Sequence, residues 1–382
     1  MTWLELALGH RPWTPVSSAR KPISKYFDIG LKFAVRVANL APFLANSSKP
    51  MTAASLQTSA TGQPDAIDKL SDLHKALADS LRLQILRLLK NESFGVLELC
   101  RIIDIRQSAL SHHLKILATA ELVSTRREGN SIFYRRALLT EDDVYADIKR
   151  SVFEHIDGLP VARDQLKKIG QIQLERSQLS LSFFKRNADK FKEKQGLIVE
   201  RSHYAATLHD MIAGLNLPTP THALEVGPGE GHLLVELAAK FQQLTALDNS
   251  RDMLEKSRAA IAAAGFDHVD FLLGDTGVAI KQKVCADLII FDMVLHHISS
   301  PAKTFKEVAA LLAAGGYLLV IDLNNHDQDW VRESCGDLWL GFDDGDLDHW
   351  ANKAGLQAGQ SSYLGLRNGF QIKMRVFQRA VF

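Results

Sequence analysis

The chain has 382 residues, 46% of them apolar, and a net charge of +1, which is too long for one ordinary core and suits two domains with a connector. No apolar run approaches the roughly 20 residues that a membrane helix needs. Three widely spaced cysteines, Cys100, Cys285 and Cys335, argue against a disulfide framework or a C-x-x-C metal cluster and fit a reduced cytoplasm.

The small net charge conceals a basic front and an acidic back, which points to a polyanion partner for the front alone. Residues 1–64 hold few acids, many Ser, Thr, Ala and Pro, and one amphipathic stretch from Ile23 to Leu44. Arg36 interrupts that stretch, so a secretory signal is not expected. A poorly ordered extension is.

From Asp65 the leucines fall into helical stripes on either side of Asp79-Ser80, a cap site. A short helix, Val96 to Ile103, then meets the turn Asp104-Ile105-Arg106, and a second helix begins at Gln107-Ser108-Ala109-Leu110-Ser111-His112-His113-Leu114-Lys115. Two short helices across a tight turn are a helix-turn-helix pattern. Two strand-like runs, Glu121 to Arg127 and Ser131 to Arg136, flank Glu128-Gly129-Asn130 and predict a β-hairpin wing. Its paired arginines suit phosphates or a minor groove.

Over about residues 65–140 these features resemble the ArsR/SmtB winged-helix transcriptional regulators. The resemblance implies a homodimer that lays the second helix in the major groove of a double-stranded DNA operator. Gln107, Ser108, Ser111, His112 and Lys115 then face DNA from that helix, and Arg126, Arg127 and Arg135 from the wing. The cysteine positions that some metal-sensing members use fall here on Gly95 and Leu97. The helix expected over Asp142 to Ile156 offers only Asp147 and His155, so no metal site is expected.

Residues 141–217 are neutral and helical and read as a connector, or as a lid if the segment around Arg176, Ser180, Phe183 and Phe184 covers a ligand. From 218 onward the pattern changes. An apolar run ends in Glu225-Val226-Gly227-Pro228-Gly229-Glu230-Gly231, and helical leucines follow, which predicts a strand, a glycine turn and a helix. Glycine serves there because the backbone must take positive φ and let a ligand approach the main chain. A dinucleotide fingerprint would want its third small residue at His232, so the pattern is instead E-x-G-x-G-x-G. Asp248 closes a second apolar run, where an acid suits the two hydroxyls of a ribose. Gly274-Asp275-Thr276 ends a third, Asp292 a fourth, and a fifth begins at Gly315.

This order of landmarks resembles the class I S-adenosylmethionine-dependent methyltransferases, over about residues 197–382. It implies an α/β, Rossmann-like domain with a mostly parallel seven-stranded sheet. By the same resemblance the cofactor is held by Glu225, Gly227, Gly229, Gly231, Asp248, Asn249, Gly274, Asp275, Thr276 and Asp292. After the fourth strand, His297, or in second place His296, is expected to take a proton from a hydroxyl or amine of a small-molecule acceptor. The expected protein is thus a DNA-binding regulator carrying a methyltransferase. The alternative is a sensor that binds S-adenosylmethionine or S-adenosylhomocysteine without turnover. The acceptor and the operator are not legible.

Overall fold

The structure, a computed structural model, describes residues 65–187, 196–219 and 221–381; the N-terminal extension lies outside the described residues. Its first part is built from α1 (Ala66–Leu77) and α2 (Ser80–Leu88). Asp79 caps α2 by accepting the Arg82 N–H at 2.9 Å, which satisfies one of the donors every helix start leaves unpaired. After the short strand β1 (Phe94–Gly95) come α3 (Val96–Ile103) and α4 (Gln107–Thr119). Asp104, with φ of 65°, turns the chain between them. Leu110, Leu114 and Leu117 form one stripe on α4 and are fully buried.

Strands β2 (Val123–Glu128) and β3 (Ser131–Arg136) make the expected hairpin, with Val123 opposite Arg136 and Glu128 opposite Ser131. With β1 they form a three-stranded sheet in the order β1-β3-β2. Helix α5 (Ala146–Asp157) starts four residues later than the expected Asp142. Asp143 is the reason: one carboxylate oxygen accepts the Tyr145 N–H at 2.9 Å and the other binds the buried Lys149 ammonium at 2.8 Å. Those bonds spend on a turn the chain that would have continued the helix. Helix α6 (Arg163–Asn187) follows. Phe153 and Ile156 of α5 and Ile172 of α6 pack into the same core as Leu86, Phe94 and Leu114.

The second part adds α7 (Ala205–Ala213), β4 (His222–Val226), α8 (His232–Ala238), β5 (Gln243–Asp248), α9 (Arg251–Ala263), β6 (Val269–Leu273) and α10 (Thr276–Lys281). Then come β7 (Ala286–Asp292), α11 (Pro301–Leu311), β8 (Leu312–Leu323), α12 (Trp330–Ser334), α13 (Asp344–Lys353), β9 (Leu356–Gly365) and β10 (Gln371–Arg379). The seven strands run in the order β6-β5-β4-β7-β8-β10-β9. All neighbours are parallel except β10, which is antiparallel to both β8 and β9.

Alternate residues feed opposite faces: Leu288 and Ile290 enter one core, Ile289 and Phe291 the other. Burial on both faces explains why these strands read as continuous apolar runs. Strand β8 begins three residues before the expected Gly315, because Leu312 already pairs with Ala286 ahead of a register shift. The chain order reverses beside β4, between β5 and β7, and an open parallel sheet has its ligand crevice at such a point, beyond the carboxyl ends of the strands.

Candidate functional site

A cavity of about 520 Å³ opens at that crevice, within the range that small-molecule and cofactor sites occupy. Of the residues expected to hold a cofactor, Glu225, Gly227, Gly229, Asp248, Asn249, Gly274, Asp275, Thr276 and Asp292 line it, as does His297. Gly231 does not. It starts α8 with φ of 84°, and a Cβ there would lie 3.0 Å from the Ser257 backbone, so its smallness lets α8 approach α9. Gly227 has φ of 69°, and a Cβ would fall 2.3 Å from Val294 Cγ2. Gly227→Ala is expected to cost about 1–3 kcal/mol in backbone strain and to displace Val294 from the cavity wall. Thermal unfolding checks the first effect and ligand calorimetry the second.

The cavity is rich in acids. Glu225 is 2% exposed and its Oε2 has no hydrogen-bond partner among the described residues. Burial, and then the Asp292 charge, push its pKa well above the usual carboxylate range. Burial likewise raises Asp292 to about 6, against the opposing pull of Arg201 and Tyr204. The Tyr204 hydroxyl donates to Asp292 at 2.8 Å, and Arg201 Nε lies 3.5 Å from the same carboxylate. Arg201 is oriented by a two-pronged bond to Glu236 at 2.7 and 2.8 Å.

At the tip of β5, Asp248 accepts the Ser250 N–H at 2.7 Å, and burial still lifts its pKa to about 6. Asp275 and Thr276 also serve local structure: Asp275 accepts the Val278 N–H at 3.0 Å, and Thr276 donates to Glu307 at 2.6 Å.

The raised Asp248 pKa has a definite sign. A hydroxyl-bearing ligand that donates to this carboxylate binds its ionised form, so affinity is full above about pH 6 and falls as pH drops through that value. Arg201, Glu225 and Asp292 share the cavity, so the Asp248→Asn variant is the control that isolates the Asp248 contribution. Calorimetry between pH 5 and 8 on both proteins tests this, and equal slopes would contradict it.

Beyond β7, a short 3₁₀ turn (Leu295–His297) carries two histidines with opposite environments. For His296 burial works against protonation, but Asp322 and Asp337 outweigh it and raise the pKa to about 9. For His297 burial dominates, the His296 charge adds to it, and the pKa sits well below the usual value. The His297 ring is therefore neutral near pH 7. It packs edge-on against Phe184 of α6 at 4.8 Å.

On the winged helix, Gln107, Ser108, Ser111, His112 and Lys115 are all exposed on α4, and Arg127 is exposed on the wing. Arg126 and Arg135, expected on the same open face, lie elsewhere. Arg135 is paired with Asp346 of α13, and Arg126 donates to the Gly341 carbonyl at 2.6 Å with Asp346 3.8 Å away. Beside them Glu128 is buried and accepts the Leu340 N–H at 2.8 Å. Asp346 is itself 4% exposed. A carboxylate that deep is costly without a cation, and the wing arginines supply it.

Residues 79–125 match the family model described as "Bacterial regulatory protein, arsR family". The arsenical resistance operon repressor of Staphylococcus aureus is 38% identical over 80 residues, which are 21% of this chain and 77% of that repressor. The chain belongs to the ArsR family. This ArsR-family protein also carries a methyltransferase domain, since residues 219–355 match the family model described as "Methyltransferase domain". The chain is also 32% identical over 137 residues to the polyketide synthase-nonribosomal peptide synthetase pyiS of Pyricularia grisea, covering 32% of this chain but only 3% of that protein. Among solved structures, magnesium protoporphyrin IX methyltransferase from Synechocystis PCC 6803 with bound SAM aligns at a TM-score of 0.42 and 15% identity, over 54% of this chain and 97% of that one.

In this ArsR-family protein, α6 joins the two parts. Ile172 faces the winged-helix core, whereas Gly170, Gln173, Leu174, Ser177 and Phe184 line the cavity. Arg176, 7% exposed, sits at the junction. It binds Glu98 of α3 at 2.9 and 2.5 Å, the Ser93 carbonyl at 3.0 Å, and the carbonyl of the cavity residue Ser299 at 3.3 Å. Its guanidinium lies 5.3 Å from the Phe133 ring of the wing and 5.0 Å from Trp339. Glu92 also accepts from Ser300, another cavity residue. The sequence names Arg176 only within a candidate lid segment and does not announce Arg201, because each acts on partners distant in sequence.

Proposed function

We propose that this protein is a DNA-binding regulator whose methyltransferase domain binds S-adenosylmethionine in the 520 Å³ cavity and passes its methyl group to a small acceptor. The carrying observation is the set of acids that three adjacent strand tips bring to one cavity: Glu225 of β4, Asp248 of β5 and Asp292 of β7. A cationic ligand with a ribose fits them. Glu225 Oε2 lacks a hydrogen-bond partner among the described residues and is open to a ligand's cationic group, whose charge would draw Glu225 into its ionised form, while Asp248 suits ribose hydroxyls.

When bound, the cofactor supplies an electrophilic methyl group, so the protein's task is alignment and exclusion of water. The glycine turn lets the ligand reach the main chain, Asp248 orients the sugar, and α6 walls the cavity from solvent. His297, neutral and on the wall, is the proton acceptor in this reading. On the DNA side, α4 presents its exposed residues to the major groove, where Gln and Ser reach base edges and Lys anchors phosphate. A homodimer carries two copies of α4 for an operator with two half-sites.

A second reading, a sensor of S-adenosylmethionine or S-adenosylhomocysteine without turnover, is favoured by one feature. Arg176 touches both the cavity rim and the wing's packing partners, so a ligand that shifts Ser299 biases the winged helix, and differential binding to two states is what coupling requires. Labelled methyl donor with cell extract, run beside an operator gel shift, separates the two. Labelled product supports the enzyme; its absence together with a ligand-dependent shift supports the sensor; neither result rejects both.

A further inference from the structure

At the cavity wall, at the foot of the segment that holds the wing, His297 belongs to a cluster whose buried Asp337 neither cofactor nor DNA binding accounts for. A ring nitrogen from each of His296 and His297 and a carboxylate oxygen of Asp337 all lie within 4.8 Å of one another. His296 Nε2 is 3.9 Å and His297 Nδ1 4.0 Å from the same Asp337 oxygen. Asp337 is 2% exposed, and neither of its oxygens has a hydrogen-bond partner among the described residues. A buried carboxylate with both oxygens unsatisfied is costly and calls for a partner.

We propose that His296, His297 and Asp337 bind one divalent first-row transition cation, of which zinc is the first probe. Two imidazoles and one carboxylate are a donor set for such ions and a poor one for magnesium or calcium. Donors about 2.0–2.2 Å from a tetrahedral ion stand roughly 3.3–3.6 Å apart, so small side-chain rotations close the site. His296 is already oriented for it: its Nδ1 lies 2.8 Å from Asp322, which turns Nε2 toward Asp337. A carboxylate behind a histidine ligand is how metal sites set the ring's orientation and basicity. Asp322 in turn accepts the Leu323 N–H at 2.7 Å. The Gly336 carbonyl, 3.2 Å from His297 Nδ1, is a further oxygen on the same rim.

The cation would clamp the turn after β7 to the segment after α12. That segment continues directly into Leu340 and Gly341, which hold Glu128 and Arg126 of the wing. In the metal-bound form His297 is a ligand and takes no proton, so the proton-accepting role belongs to the metal-free form. The assay needs no methyl donor, so its failure would not bear on cofactor binding.

The test uses the full chain without an affinity tag, stripped by chelator and titrated with zinc against a chromophoric competitor. Metal content and thermal unfolding are recorded alongside. One equivalent per chain and a zinc-dependent rise in Tm are expected. Asp337→Asn, close to the native shape, should abolish both, and Asp322→Asn should weaken affinity about 10–100-fold. The wild-type Tm shift needs no variant and guards against one that misfolds. Equal zinc binding by wild type and Asp337→Asn would overturn the proposal, as would no binding at micromolar zinc, manganese or cobalt. In either case the cluster is a protonated His296 held between two carboxylates.

Discussion

Replacing Arg176 with methionine is expected to destabilise the chain by about 3–5 kcal/mol, the range for breaking one side of a buried ion pair. The side chain is 8% exposed and its partner Glu98 20%, so the abandoned carboxylate gains little from water. Glu98 keeps one bond, from the Gly95 N–H at 2.8 Å, but loses both guanidinium contacts. The aromatic surround of Phe94, Phe133 and Trp339 also loses its cation. Arg176→Lys should recover part of the loss, since it keeps the charge without the planar fork. Urea unfolding of both variants measures this; a change below about 1 kcal/mol would mean that the pair contributes no more than a surface ion pair. The same variant bears on coupling. If Arg176 transmits ligand occupancy, Arg176→Met should bind operator with one affinity whether or not S-adenosylmethionine or S-adenosylhomocysteine is present.

Asp248→Ala is expected to weaken binding of either adenosyl ligand by about 1.5–3 kcal/mol, the worth of hydrogen bonds to a charged group. That is a rise of roughly ten- to 150-fold in Kd. The fold should survive, because the native bonds of Asp248 are to the backbone N–H groups that follow it, and water in the cavity can replace them. Calorimetry on the folded variant reads the change directly. A less than twofold effect would remove the ribose from Asp248 and move the search to Asp275, whose carboxylate is already partly engaged by α10.

Much of the fold was legible because it rests on short-range rules. The start of α4 at Gln107, the Asp79 cap and the turn at Gly129-Asn130 each depend on a few adjacent residues, and the structure contains all three. The parallel strands were legible for a similar reason, since burial on both faces makes them continuous apolar runs, each ended by glycine or an acid. The glycine turn could be placed to the residue. Its third glycine was assigned to the ligand, and the structure gives it to helix packing, a distinction that depends on where α9 lies. The start of α5 was missed because Asp143 prefers its turn, and the edge of β8 because its register is set by β7.

By itself, the sequence determined the two kinds of domain, their order, and the acids and glycines at the strand tips, because periodicity, turn chemistry and spacing act over a few residues. Only the tertiary structure decided which charges meet. Arg126 pairs with a segment 215 residues away, and Arg176 bridges α3 and the cavity rim. His296, His297 and Asp337 converge from two separate loops. Ion pairs and buried clusters depend on three-dimensional distance and on exclusion from water, and neither quantity is written into any local stretch of chain.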